Sequence, residues 1–299
     1  RRTKLESSDL VAYLDGLIGA TYKEMFDKGL EIIAKARNAM DRKWIGTADS
    51  WAIEFFAPLA RAYPDARFIV LLRDPRASIN SMLGIDEPLQ ISQVLSYARH
   101  WRKYAAFVLH YKNDPIFSNR LFVLTHEQLL QEPEKRAREL CEFLEVEFAP
   151  EMIDTSTYFD YVTGDLWKGN SSFEEVAAGI STHRAERWRT MLDPKVVKVV
   201  DFLCGIDMKS MGYEPVTDFH NQWPDPEMLE YIIETDQAYA SWRSDLQDPQ
   251  QDYGFELFRH ALLSLPATQK LESHLIRRSF LFEEVFENLR QQAALPAGA

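Results

Sequence analysis

Residues 67–76 read Arg-Phe-Ile-Val-Leu-Leu-Arg-Asp-Pro-Arg, and this stretch decides the fold. The chain reaches it from a helical pattern that Tyr63-Pro64-Asp65 breaks. Phe68 to Leu72 is an apolar run without alternation, and it stops at Arg73-Asp74-Pro75. Alternation would mark a strand with one wet face. Its absence over so short a run predicts a central parallel strand buried on both faces. Pro75 has no amide hydrogen and a fixed φ, which suits the first turn of a following helix.

The same alternation of elements continues in both directions. Upstream, Ser7-Ser8-Asp9 offers N-cap oxygens before Leu10, Val11, Leu14, Leu17 and Ile18, which share one helical stripe. A second helix is expected over residues 21–41, a short strand over 43–46 and a helix over 50–63. Downstream, a long amphipathic helix is expected over residues 89–111. Arg120-Leu121-Phe122-Val123-Leu124 reads as a second buried strand, feeding a helix over 133–144. Residues 150–182 are loop-like, and a helix over 194–211 stops at Gly212. Helices alternating with buried strands predict an α/β domain with a parallel sheet over residues 1–215. Trp223-Pro224-Asp225-Pro226 then reads as a linker, and residues 216–299 as a helical C-terminal extension. Apolar spacing at Leu229, Ile232 and Ile233, and again at Phe282, Val285, Phe286 and Leu289, suits packing on the main domain or on a second copy. A homo-oligomer through these helices is one expectation.

Composition narrows the function classes. Of 299 residues, 46% are hydrophobic and 27% charged, within the globular range. Asp and Glu outnumber Lys and Arg by 46 to 34, a net charge of −12. Nucleic acid is therefore a disfavoured partner, because its phosphates need a basic face. An anionic ligand must be held by a few placed cations. No apolar run approaches a membrane span, and the first residues lack the apolar core of a signal peptide. A cytoplasmic protein is expected. Cys141 and Cys204 sit in apolar helical patterns, as buried thiols do. The acidic stretch over residues 142–147 reads as a solvated helix end and not as a metal site.

Chemistry concentrates where the strand turns into helix. Arg73 stands at the C-terminal end of the strand, the edge at which α/β folds carry ligands. Its planar fork of donors suits a phosphate, and Ser81, eight residues on along the next helix, adds an uncharged donor. The same residues admit a plainer reading, with Arg73 paired to Asp74 or a surface acid and Ser81 a spacer. Arg76 either assists Arg73 or faces water.

Tyr63-Pro64-Asp65-Ala66-Arg67-Phe68-Ile69, Arg73-Asp74-Pro75-Arg76 and Ser81 resemble the strand entry and 3′-phosphate-binding segment of one superfamily. It is the sulfotransferases that use 3′-phosphoadenosine 5′-phosphosulfate (PAPS), including bacterial families and the tyrosylprotein sulfotransferases. Val123-Leu124-Thr125-His126-Glu127-Gln128-Leu129 is similar to a family segment written Tyr-Glu-x-Leu, with His126 in the tyrosine's place. Three further stretches follow in the family's order. They are Gln131-Glu132-Pro133-Glu134 leading to Cys141-Glu142-Phe143-Leu144, the loop Trp167-Lys168-Gly169-Asn170-Ser171-Ser172-Phe173, and Arg187-Trp188-Arg189 with Met211-Gly212-Tyr213-Glu214-Pro215. The resemblance covers roughly residues 43–215 and implies a P-loop-NTPase-like parallel sheet flanked by helices.

It also implies transfer of a sulfuryl group from PAPS to a hydroxyl or amine on a small-molecule, glycan or peptide acceptor, with release of 3′-phosphoadenosine 5′-phosphate (PAP) and without a metal. Arg73 and Ser81 would bind the 3′-phosphate, with His126, Ser171, Ser172 and Arg184 as further nucleotide contacts. The candidate bases are His100, for which a helical surface or partly buried role competes, and His183 beside Arg184. Acceptor specificity is expected in residues 154–170. The family's Gly-rich, Arg-Ser-Gly-Thr-Thr-like loop, which cradles the 5′-phosphosulfate, matches none of the twelve glycines here, and residue 1 falls after its expected place. That loop lies upstream, on another chain, or is lost. A lysine that many relatives carry near Ala48 is missing too, Lys43 being out of register. The alternative is a catalytically silent nucleotide-binding or scaffold protein of the same fold. A P-loop kinase is disfavoured, since its Gly-Lys-Ser/Thr signature is equally missing.

Overall fold

The computed structural model describes residues 17–36, 39–49, 51–83, 94–158, 166, 180, 182–219, 226–227, 249–266 and 268–294. Residues 7–16 of the helix expected from Ser7, the loop residues 159–165 and 167–179, and the apolar positions at Leu229, Ile232 and Ile233 lie outside them, whereas Leu17 and Ile18 of the same stripe are described and not helical, with Ile18 82% exposed. The chain divides into two compact units, Arg1–Ala66 with Ser156–Trp167, and Arg67–Thr155 with Lys168–Ala299.

In the first unit, α1 (Tyr22–Ala36) is an amphipathic helix laced by Lys23–Asp27, Glu24–Lys28 and Glu31–Lys35 pairs one turn apart. A 3-10 turn (Ala52–Phe55) leads into α2 (Phe56–Ala62). That helix ends at Tyr63 because the residue before a proline is driven out of the helical region. Tyr63 donates its hydroxyl to Asp27 across 2.7 Å, and burial followed by that carboxylate pushes the phenol up to about 12. Residues 43–46 form no strand, contrary to expectation. They are largely exposed, and no strand lies beside them among the described residues to satisfy their backbone.

In the second unit, β1 (Phe68–Leu72) and β2 (Leu121–Thr125) pair in parallel, in register from Phe68 with Leu121 to Leu72 with Thr125. The helices α3 (Pro75–Leu83) and α4 (Val94–Asn113) connect them. Proline opens α3, as the sequence predicts. Burial of β1 alternates, however. Phe68, Val70 and Leu72 are buried, whereas Ile69 is 42% and Leu71 51% exposed. Their register partners Phe122 and Leu124 carry the second face. Phe122 meets Phe143 of α6 (Pro133–Leu144) at 5.3 Å, and Leu124 is buried. A continuous apolar run permits burial on two faces without requiring it.

Thr125 ends β2 and caps α5 (His126–Gln131) in a reciprocal box with Gln128. His126 thus opens a helix. Beyond α6 come α7 (His183–Glu186), α8 (Trp188–Met191) and α9 (Pro194–Ser210). Asp193 caps α9 by accepting from the Lys195 amide at 2.8 Å. At its other end Gly212 takes φ +82°, the Gly212 amide bonds the Lys209 carbonyl, and the Tyr213 amide bonds the Met208 carbonyl. Helix α9 is buried on nearly all sides, against α3 and α4 through Val196, Val199, Val200, Leu203 and Cys204.

Among the described residues toward the C-terminus lie α10 (Pro249–Ser264), α11 (Ser273–Phe280) and α12 (Glu283–Ala294). Phe280, Phe286 and Leu289 pack with Leu109 of α4 and Ile206 of α9 in a second apolar cluster. Between α4, α9 and α10 lies a buried charged layer, in which Arg99 and Arg102 hold Glu256 and Arg259 holds Asp207. Cys141 and Cys204 are buried thiols, and burial raises the Cys204 pKa well above its ordinary value. Among the described residues no helix is long and apolar enough to cross a membrane, and no three His, Cys, Asp or Glu side chains converge as metal ligands would.

Candidate functional site at the ends of the parallel strands

The corner after β1 is fixed by three hydrogen bonds. Trp101 Nε1, from α4, donates to the Arg73 carbonyl at 2.8 Å. The Asp74 amide donates to Glu127 Oε1 at 3.1 Å, and the Ser78 amide to the Asp74 carbonyl at 2.9 Å. These bonds join the end of β1 to α4, α5 and the first turn of α3.

Arg76 serves this corner from within. It is 2% exposed and so does not face water, and its donors are taken up within the fold. Its Nε and Nη2 donate to the two Asp74 carboxylate oxygens at 3.0 and 2.7 Å, its Nη1 to Asp201 Oδ1 at 3.2 Å, and its Nη2 to the Glu214 carbonyl at 3.0 Å. The guanidinium also lies 4.1 Å from the Trp188 ring centroid. Asp201 in turn accepts from the Val216 and Thr217 amides and the Thr217 hydroxyl. A charge this deep needs such complete pairing.

Arg73 is different. It is half-buried, its Nε is shielded from solvent without a hydrogen-bond partner, and no carboxylate forms an ion pair with it among the described residues. Burial lowers its pKa, while Glu127, Asp74 and Tyr213 act in the opposite direction. His126 adjoins it, with Nδ1 likewise buried and unbonded. The imidazole pKa is lowered by burial first and by the Arg73 cation second, against Glu127. Glu127 is engaged at both oxygens, by the Asp74 amide and by the Tyr213 hydroxyl at 2.8 Å. Burial and that carboxylate raise the Tyr213 phenol far above its ordinary value. The result is a partly desolvated cation, beside a mostly neutral imidazole, whose neighbouring carboxylates are already occupied. Such a place attracts an anion with several acceptor oxygens.

Of the residues expected from sequence, Arg73 and His126 come together here. Ser81 is half-buried on α3, the helix that this corner starts. His183 is exposed at the start of α7, which packs against α5. His100 precedes Trp101 on α4 and so faces another side of that helix, where its ring tilts against Tyr104 at 5.6 Å. Ser171 and Ser172 lie outside the described residues, as does the side chain of Arg184, whose backbone belongs to α7. Glu127 and Tyr213 lie within the segments 123–129 and 211–215, far apart in sequence. No local pattern pairs them.

Residues 12–150 match the model of the Sulfotransferase family. Protein-tyrosine sulfotransferase of Drosophila melanogaster is 23% identical over 189 residues, covering 62% of this chain and 37% of that protein. Carbohydrate sulfotransferase 3 of Tetronarce californica is 24% identical over 187 residues, covering 56% and 40%. The chain thus spans well under half the length of these two relatives. Among solved structures, the sulfotransferase domain from the curacin biosynthetic pathway aligns with a TM-score of 0.45 and 17% identity, over 64% of this chain and 72% of that one.

Proposed function

We propose that this chain, which belongs to the sulfotransferase family, moves a sulfuryl group from PAPS to an acceptor hydroxyl or amine and releases PAP. The observation that carries the donor assignment is Arg73. It is a half-buried guanidinium at the C-terminal end of a parallel strand, with a shielded, unbonded Nε and no paired carboxylate among the described residues. In this reading Arg73 and Ser81 take the 3′-phosphate, and His126 lies beside it.

In the reaction the acceptor oxygen or nitrogen attacks sulfur. The new bond to sulfur forms as the bond from sulfur to the 5′-phosphate oxygen breaks, the acceptor gives up its proton to a base, and PAP departs. Arg73 stands at the far end of the nucleotide from that exchange. An interaction made equally in ground and transition states improves binding and orientation without lowering the chemical barrier. Arg73→Ala should therefore raise KM for PAPS more than it lowers kcat. The names of the two relatives point to protein tyrosine and to carbohydrate. A peptide or glycan acceptor is accordingly proposed ahead of a small molecule.

Calorimetric titration with PAP tests the donor site. Arg73→Ala should lose about 1.5–3 kcal/mol of binding, the range for a charge-assisted bond, and Ser81→Ala about 0.5–1.5 kcal/mol. The wild-type chain should prefer PAP to 5′-AMP at one salt concentration. Unchanged PAP affinity in Arg73→Ala would remove the assignment. A radiolabelled PAPS assay over peptide and glycan panels tests the acceptor.

A further inference from the structure

Arg73 lies close enough to Glu127 and Asp74 for both to stabilise its charge, yet it pairs with neither. The geometry explains why. Asp74 is gripped through both oxygens by Arg76, and Oδ1 also accepts the Arg76 amide at 2.8 Å. Glu127 accepts the Asp74 amide at one oxygen and the Tyr213 hydroxyl at the other. Tyr213 is buried, its ring 6.2 Å from that of Trp101, and its backbone position follows from the Gly212 turn that ends α9. Both described carboxylates that act on Arg73 are thus turned toward other donors.

We infer that Tyr213 is a positioning residue that holds the Glu127 carboxylate off Arg73, so that the guanidinium remains available to an incoming phosphate. Without the phenol hydroxyl, Glu127 Oε2 loses its partner, and Arg73, whose charge that carboxylate already stabilises, is a cation able to replace it. An internal ion pair would then compete with the ligand. This inference rests on the reading that Arg73 receives the 3′-phosphate of the nucleotide.

The alternative is a purely structural bond that ties the end of α9 to α5. The two differ in their dependence on the charge at residue 127. Tyr213→Phe, Glu127→Gln and the double variant should be titrated with PAP and with 5′-AMP, which lacks the 3′-phosphate. Tyr213→Phe should weaken PAP about tenfold, the worth of one charge-assisted hydrogen bond, and leave 5′-AMP unchanged. Glu127→Gln keeps the shape and an acceptor oxygen, and should bind PAP at least as well as wild type. The double variant should return to within about twofold of Glu127→Gln, because the competing charge is gone. The inference is overturned if Tyr213→Phe binds PAP normally, if it loses both nucleotides equally, or if the double variant stays as weak as Tyr213→Phe. Arg73→Ala in the wild-type background separates the two levels. Unchanged PAP affinity there defeats the underlying reading, whereas a loss there without rescue in the double variant defeats only the role of Tyr213.

Discussion

The indole Nε1 of Trp101 donates to the backbone carbonyl of Arg73 across 2.8 Å, so a side chain from the middle of α4 holds the point where β1 stops being a strand. The carbonyl is committed to the helix side and the Arg73 side chain is left to the site. Trp101→Phe preserves most of the packing and deletes the donor. It should cost about 1–3 kcal/mol, the penalty for a buried acceptor left unmade, and should weaken PAP binding as the corner loosens. Urea unfolding followed by calorimetry checks both. Full retention of stability would show that the bond contributes nothing net.

Gly205 lies on α9 directly beneath the Phe219 ring. A Cβ built there would come within 2.8–2.9 Å of three ring carbons. In an open helix Gly→Ala gains about 1 kcal/mol from helix propensity. Here overpacking against a buried ring should outweigh that gain, giving a net loss of about 1–2 kcal/mol. Phe219→Leu in the same chain should return part of it. A lower thermal midpoint for Gly205→Ala, partly restored in the double variant, is the expected pair of results.

Local signals made much of this legible. Pro75 and Pro194 at helix starts, Gly212 beyond a helix end and two short apolar runs gave the elements within a residue or two. The capping box Thr125-His126-Glu127-Gln128 was equally readable and would have placed His126 at a helix start. Other features depend on remote partners. Arg76 meets Asp201 and Glu214, which are 125 and 138 residues away, so nothing near Arg76 marks it as buried. Glu127 and Tyr213 are 86 residues apart. At the candidate site, sequence points to Arg73 and His126, but not to the arrangement of Asp74, Arg76, Glu127 and Tyr213 that leaves Arg73 without an ion pair among the described residues.

Glu256 gives a pH test of the buried layer. Burial would push its carboxyl up, but Arg102 and Arg99 outweigh burial and hold it down to about 2, from an ordinary 4.5. Arg102 grips both oxygens, at 2.6 and 3.0 Å, and Arg99 adds a third bond at 2.7 Å. A depressed folded value means stability that is present above about 4.5 and lost as the pH falls toward 2. At about 1.4 kcal/mol per unit, roughly 3 kcal/mol is involved. Glu256→Gln should be less stable than wild type at neutral pH by about 3–5 kcal/mol, because Arg102 is left buried without its anion. Its stability should also fall less steeply between pH 4.5 and 2. Urea midpoints over that range, parallel in both proteins, would contradict this account.

On the proposed reading, His126 links nucleotide binding to protons. Its pKa lies below the ordinary 6.5 through burial and the Arg73 cation, so just below pH 6.5 the ring stays neutral in the folded protein while an unfolded chain would protonate it. Unliganded stability should therefore decline as the pH drops through that region. A phosphate bound at Arg73, as proposed, would reverse the balance. It offsets the cation that disfavours imidazolium and offers an acceptor to Nδ1, which is buried and unbonded. Binding of PAP should then draw a proton onto the ring, and affinity should strengthen as the pH falls from neutral toward about 6. The 3′-phosphate titrates in the same range, so wild type must be compared with His126→Gln. Calorimetry at one pH near 6.5, in two buffers of different ionisation enthalpy, counts the protons taken up. Wild type should take up more than His126→Gln, by as much as one proton. Equal uptake by the two proteins would mean that the ring does not face the phosphate, and His126 would then lose its place as a nucleotide contact.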